Sequence, residues 1–226
     1  MSSITHQVFK RLQESLGPQH WWPGETPFEV MVGAVLVQNT AWKNVERAID
    51  NLRDAKLLTL QSFSSATIDE LEDLIRPAGY FRQKTRRLRG LVEFMLQEYQ
   101  GEIEKLRTAD FLQLRKQLLA LHGIGPETAD SILLYALDKP VLVVDTYTHR
   151  VFARHGWIDY SADYHQLQQH LVDELPIDTA IYNELHALLV NVGHHHCRKT
   201  PRCDQCPLHN MLPASGIVDN DARREC

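Results

Sequence analysis

Cysteine is absent from this 226-residue chain until Cys197, and Cys203, Cys206 and Cys226 are the other three. Thiols gathered in one tail exclude a disulfide framework spread through the fold. They point instead to a local metal site in a reducing cytoplasm. Long apolar runs are missing too. No stretch reaches the roughly eighteen residues that a membrane helix needs, so neither a span nor a membrane partner is expected. The opening Met-Ser-Ser-Ile-Thr-His-Gln has no basic flank and no apolar core, so no secretory signal is expected. Nothing is repeated or of low complexity. Strand-like runs reduce to residues 141–144, too short to require a sheet. Positive charge is scarce: the net charge is −5, and no Lys or Arg lies between His155 and His196. Asp159, Asp163, Asp173, Glu174, Asp178 and Glu184 make that interval acidic. Residues 82–89 (Arg-Gln-Lys-Thr-Arg-Arg-Leu-Arg) gather five cations in eight positions. A chain with one cationic and one anionic side binds phosphates locally despite its total charge. A solvated helix face explains the same eight residues equally well.

What is present is helix. The chain is 43% hydrophobic and long enough to bury a sizeable core, as one large or two modest domains. Apolar periodicity predicts helices at roughly 4–16, 28–38, 42–54, 67–76, 83–98, 110–120, 126–137, 145–155, 163–174 and 178–193. Thr67 with Glu70, and Asp110 with Gln113, have capping-box spacing. Gly17-Pro18, Gly24, Pro77-Ala78-Gly79 and Asp138-Lys139-Pro140 punctuate the pattern. The fold class is all-α.

The stretch Leu121-His-Gly-Ile-Gly-Pro-Glu-Thr-Ala-Asp130 reads as two helices joined by a Gly-x-Gly hairpin. Leu114, Leu118, Leu119 and Leu121 carry the first helix. Pro126 opens the second, which Ile132, Leu133 and Tyr135 continue. Gly123 and Gly125 permit positive φ and close backbone approach. The turn leaves the amides of Gly123, Ile124, Gly125 and Glu127 without intrahelical partners, a ready site for phosphate. A plain helical turn accounts for Gly-x-Gly taken alone. Beyond it, Val143-Val144-Asp145-Thr146 sets a carboxylate at the edge of a buried run, where it also suits an N-cap. Upstream, His20-Trp21-Trp22-Pro23 precedes an apolar helix, a polar break at Gln38-Asn39-Thr40, and Trp42. Phe28, Val32, Val35 and Leu36 form that helix's buried face. The indoles serve either as core or as a stacking surface.

The hairpin motif, an apolar helix, and then Val-Val-Asp-Thr-x-x-x-Arg at 143–150 closely resemble the helix-hairpin-helix DNA glycosylases of the endonuclease III superfamily. The resemblance implies that the hairpin holds the DNA backbone and that Asp145 is essential for cutting the N-glycosidic bond. Trp-Trp-Pro followed by Phe-Glu-Val-x-x-Gly-Ala-Val-Leu-x-Gln-Asn-Thr and an aromatic is similar to the 3-methyladenine glycosylase branch. That implies a base pocket lined by Trp21, Trp22, Pro23 and Trp42. It also implies that Gln38 fills the gap left by the flipped base. The match runs on through residues 76–81 and Lys84 to Arg150, about two-thirds of the chain. DNA contact is thus expected from Gln38, Lys84, Gly123, Ile124, Gly125 and Thr128. Flipping delivers the base to aromatic walls, and each stacked base gains ~1–3 kcal/mol, more for a cationic one.

Bifunctional members carry a lysine where this chain has Glu127. A carboxylate cannot form an imine, so strand cleavage by that route is excluded. Glu127 either favours the helix dipole or has a catalytic role. The branch has an active-site lysine near His194, which makes His194 a substrate-binding candidate; a surface or metal-binding histidine is the alternative. Cys197-x5-Cys203-x2-Cys206 resembles the first three ligands of the superfamily's [4Fe–4S] loop. The usual fourth position is Leu212, so Cys226 is the candidate distant ligand, with zinc or no metal as alternatives. Arg198, Lys199 and Arg202 in that loop are expected to touch DNA.

The expectation is therefore a two-lobed, monomeric, cytoplasmic enzyme. Residues 26–137 form one lobe, residues 1–25 with 138–226 the other. The pocket is expected in the cleft, with Asp145 on one wall and Trp22 and Trp42 on the other. The partner is duplex DNA containing a damaged base, and the reaction is excision of N-alkylated purines without strand cleavage. Excision of oxidised or mismatched pyrimidines is the second enzymatic reading. A non-catalytic helix-hairpin-helix DNA-binding protein is the third.

Overall fold

The computed structural model describes residues 3–218, in which helices carry the fold and no strand occurs. The chain divides into two units, one spanning Trp22–Lys139, the other joining the residues up to Trp21 with those from Pro140 onward.

In the first unit, α2 (Pro27–Leu36) is central. Thr26 accepts from the Glu29 amide and Pro27 takes the first helical position, so sequence alone dictates where this helix starts. Every later residue of α2 is buried, as an all-round apolar helix requires. Its one charged side chain, Glu29, is buried with Arg53 at 2.8 Å. Around it lie α3 (Trp42–Asp54), α4 (Leu60–Ser65), α5 (Ile68–Ile75), a 3-10 turn at Arg76–Ala78, α6 (Phe81–Tyr99), α7 (Ile103–Thr108), α8 (Phe111–Ala120) and α9 (Pro126–Ser131). Helices α4 and α7 escape the periodicity reading because six residues make fewer than two turns. The helix expected at 28–38 stops at Leu36, and Thr40 N–H then closes a turn onto the Val37 carbonyl. The helix expected over 126–137 is α-helical only to Ser131. Ile132–Ala136 form a wider π turn, packed against α2.

Helices α8 and α9 are clamped by an ion pair. Arg115 donates Nε to Asp130 Oδ1 at 2.6 Å and Nη2 to Oδ2 at 2.9 Å, and Asp130 is fully buried. This two-pronged geometry fixes both the distance and the relative tilt of the helices flanking the hairpin.

The second unit packs α1 (Ile4–Leu16) and α10 (Thr146–Arg154) against α12 (Thr179–His195), with α11 (Tyr164–Val172) beside them. Residues 141–144 are buried and extended with no ladder partner, and they deliver the chain to Asp145. The two anticipated caps at Thr67 and Asp110 make the forward bond to the third helical amide. Asp163 and Gln166 form the full reciprocal box.

Candidate active site

Asp145 stands at the junction of the extended run 141–144 and α10. Its Oδ1 accepts from Thr148 N at 2.7 Å and from Thr148 Oγ1 at 2.8 Å. The carboxylate is thus the N-cap of α10, oriented by two donors. The side chain keeps 10% of its exposure, which is shielded but not sealed. Oδ2 lies 3.8 Å from His186 Nε2 on α12, too far for a hydrogen bond. Burial pushes the His186 imidazole below its usual range, and Asp145 opposes that shift. His186 was not legible beforehand: a lone histidine on an apolar helix face reads as core.

The aromatic cluster lies within the Trp22–Lys139 unit. Trp22 meets the edge of Trp42 with ring centroids 5.2 Å apart and planes at 85°. On its other side Trp22 meets Tyr135, again at 5.2 Å and at 47°. All three rings are half-buried. Trp42 Nε1 donates to Glu46 at 3.0 Å. Of the other expected pocket residues, Pro23 is exposed and Trp21 is half-buried with the second unit. His194 is exposed at the end of α12, its ring 4.8 Å from that of His195.

The hairpin divides the expected DNA contacts into outward and inward groups. Gly123 and Gly125 are exposed, and their N–H groups meet no backbone acceptor among the described residues. Gly123 has φ +79°, and a Cβ there would lie 2.2 Å from Arg87 Nε, so only glycine fits. Ile124 is buried and its N–H already donates to the Leu121 carbonyl. Thr128 is buried as well, its hydroxyl accepting from Gln38 Nε2 at 2.8 Å. Gln38 also donates to the Gly123 carbonyl at 3.1 Å and accepts from Arg87. Its amide therefore braces the hairpin from the end of α2.

Lys84 requires a correction. Expected on DNA, it is 1% exposed, and its Nζ donates to the carbonyls of Leu36 and Ala78, both at 2.8 Å, and to Thr40 Oγ1 at 2.6 Å. Three acceptors satisfy all three ammonium donors, which leaves none for a phosphate. Burial, with Arg87 adding to it, pulls its pKa down to about 8. In the basic stretch 82–89, Arg87 also turns inward to Gln38, and Arg89 caps the carbonyls of Ser64 and Ala66. Tyr80 was overlooked. It is 67% exposed and has φ +45°, an uncommon conformation for a bulky side chain.

Cys197, Cys203 and Cys206 line one recess together with Arg154, His155, His196 and His209. Arg154 Nη1 lies 3.4 Å from Cys197 Sγ. Burial pushes the Cys203 and Cys206 thiols up. Among the described residues no three His, Cys, Asp or Glu side chains are grouped to hold a metal ion, and Cys226 lies outside those residues.

Comparison with known proteins fits this geometry. Residues 32–176 match the pattern described as HhH-GPD superfamily base excision DNA repair protein. A Methanocaldococcus jannaschii protein provisionally named a DNA repair glycosylase is 46% identical over 206 residues, covering 91% of this chain and 94% of that one. Endonuclease III of Thermotoga maritima is 32% identical over 185 residues, 81% of each chain. H. pylori 3-methyladenine DNA glycosylase, solved with 1,N6-ethenoadenine, aligns with a TM-score of 0.75 at 28% identity, covering 84% of this chain and 97% of that one. A non-covalent endonuclease III–DNA complex shares the fold, with a TM-score of 0.79 at 24% identity over 93% and 95% of the two chains.

Proposed function

The chain belongs to the HhH-GPD superfamily of base excision DNA repair proteins, and from that premise we propose that it is a monofunctional glycosylase releasing N-alkylated purines such as 3-methyladenine. The observation that carries the substrate class is the pair of Trp22 and Trp42, two electron-rich indoles gathered at half-buried positions. Such faces attract a cationic base more strongly than a neutral one. The ethenoadenine-bound relative supports the same direction.

The chemistry asks little of the protein. Loss of the base leaves positive charge on the sugar, and a fixed carboxylate beside C1′ stabilises it in a site with little water. Asp145 fills that role, held by Thr148. A purine alkylated at N3 or N7 already leaves readily, so no general acid is required. Glu127 cannot form a Schiff base, and no lysine takes its place in the hairpin. The free amides of Gly123 and Gly125 receive a backbone phosphate. Exposed Tyr80 is a further aromatic assigned to contact with the duplex.

We further assign the recess at Cys197, Cys203 and Cys206 to a [4Fe–4S] cluster with Cys226 as the fourth ligand. Three thiols lining one recess would supply three of the four ligands that such a cluster takes. The cluster's contribution is to hold the loop that presents Arg198, Lys199 and Arg202. Purified protein is expected to absorb near ~400 nm as an iron–sulfur chromophore, and Cys203→Ser to lose that band. Colourless protein with stoichiometric zinc would replace the cluster with zinc.

The substrate class is tested with duplexes carrying 7-methylguanine, 3-methyladenine, thymine glycol or a G·T mismatch. Release of the two methylated purines is expected. Release of thymine glycol or mismatched thymine alone would transfer the enzyme to the pyrimidine class, and binding without any release would make it a non-catalytic DNA-binding protein.

A further inference from the structure

Trp22 sits in a stretch without helix or strand, between Trp21 and Pro23, so no backbone hydrogen-bond ladder fixes its ring. Its orientation is set by what surrounds it. Gly33 of α2 lies against it, where a Cβ would come within 3.2 Å of the indole, so the missing side chain makes room for the ring. Trp42 meets it edge-on, and Tyr135 closes the third side.

Tyr135 owes its place to the π turn. Residues 128–137 are otherwise all buried, and Tyr135 alone in that run is half-exposed. A π turn holds one more residue than an α turn and is concentrated at functional sites. Past the turn, Lys139 N–H donates to the Leu133 carbonyl at 2.9 Å and ends the helix. Here the wider turn interrupts a helix in which every neighbouring side chain goes to the core, and the residue it sets apart is an aromatic in contact with Trp22.

We infer that Tyr135 is a positioning residue: through the π turn at Ile132–Ala136 it fixes the plane of Trp22 and thereby the grip on the extruded base. This rests on the reading of Trp22 as a base-stacking wall. The role belongs to the ring, since the contact with Trp22 is ring to ring, with centroids 5.2 Å apart and planes at 47°. Removing the ring takes away one of the walls that hold Trp22, which weakens stacking without touching Asp145 or the hairpin.

A double-mutant cycle on single-turnover release of 7-methylguanine from a duplex tests this, with inhibition by free 3-methyladenine as the second readout. Tyr135→Leu is expected to slow release by roughly three- to tenfold, the size of one aromatic pair, and to weaken the free base by a similar factor. Tyr135→Phe restores both. Affinity for undamaged duplex stays at the wild-type value. In a Trp22→Ala background, Tyr135→Leu has no further effect, because the ring it positions is gone. A Tyr135→Leu loss of equal size in both backgrounds would overturn the proposal by showing general structural damage. So would a loss that Tyr135→Phe shares. If Trp22→Ala slows release and Tyr135→Leu does not, only the positioning role fails; if Trp22→Ala releases base at the wild-type rate, the stacking wall itself fails.

Discussion

Asp145→Asn is expected to slow base release by about 10²–10³-fold while the protein folds and binds DNA as before. The substitution separates the two jobs of this side chain. Asparagine is as good an N-cap as aspartate, and its carbonyl oxygen can accept from Thr148 N and Oγ1 as Oδ1 does now. Helix α10 therefore keeps its start. What disappears is the negative charge opposite the sugar, the one group in this account that stabilises the oxocarbenium-like transition state. Asp145→Ala is the poorer test, since loss of the cap adds ~0.5–2 kcal/mol of destabilisation. Single-turnover kinetics on a 7-methylguanine duplex, with a thermal melt of the same samples, measure both quantities. Near-normal release by the asparagine variant would show that the charge is not required.

Lys84→Met is expected to destabilise the fold by about 2–4 kcal/mol, the scale for leaving buried acceptors without their donor. Methionine fills the volume but leaves the Leu36 carbonyl and the Thr40 hydroxyl without their donor, and the Ala78 carbonyl with Thr40 Oγ1 alone. At roughly 2–4 °C per kcal/mol for a chain of this size, the melting temperature falls by about 10 °C. Position follows stability here. Lys84 ties the end of α2 to the 3-10 turn before α6, and the residue after Val37 is Gln38, whose amide braces the hairpin. Undamaged-duplex affinity is therefore expected to weaken in Lys84→Met even at temperatures where it stays folded. A urea midpoint within about 1 kcal/mol of wild type would contradict the clamp.

Much of this was legible in the sequence, for physical reasons that differ by element. Helices α1, α3 and α6 are long and amphipathic, so their periodicity shows. The short α4 and α7 leave too few turns for a pattern. The hairpin was legible because Pro126 and two glycines are expensive anywhere else, and Gly123 has φ +79° against Arg87. Asp145 could be read both as cap and as catalytic carboxylate, and its geometry permits both. Direction was what sequence could not supply. Lys84 looks like the rest of a cationic stretch, yet the turn of α6 that carries it faces α2. Thr128 and Ile124 sit in the same motif as Gly123 and Gly125, but one side of a hairpin must pack. The π turn is invisible to periodicity because it changes the period itself, so Tyr135 was read as part of an uninterrupted helix.

The most direct test follows released base and broken strand in one reaction, with borohydride present in a parallel tube. Free methylated purine should accumulate while the strand stays whole until alkali is added, and no covalent protein–DNA adduct should form. Nicks that keep pace with base release, together with a borohydride-trapped adduct, would mean that an amine attacks the sugar and that Asp145 does not act alone.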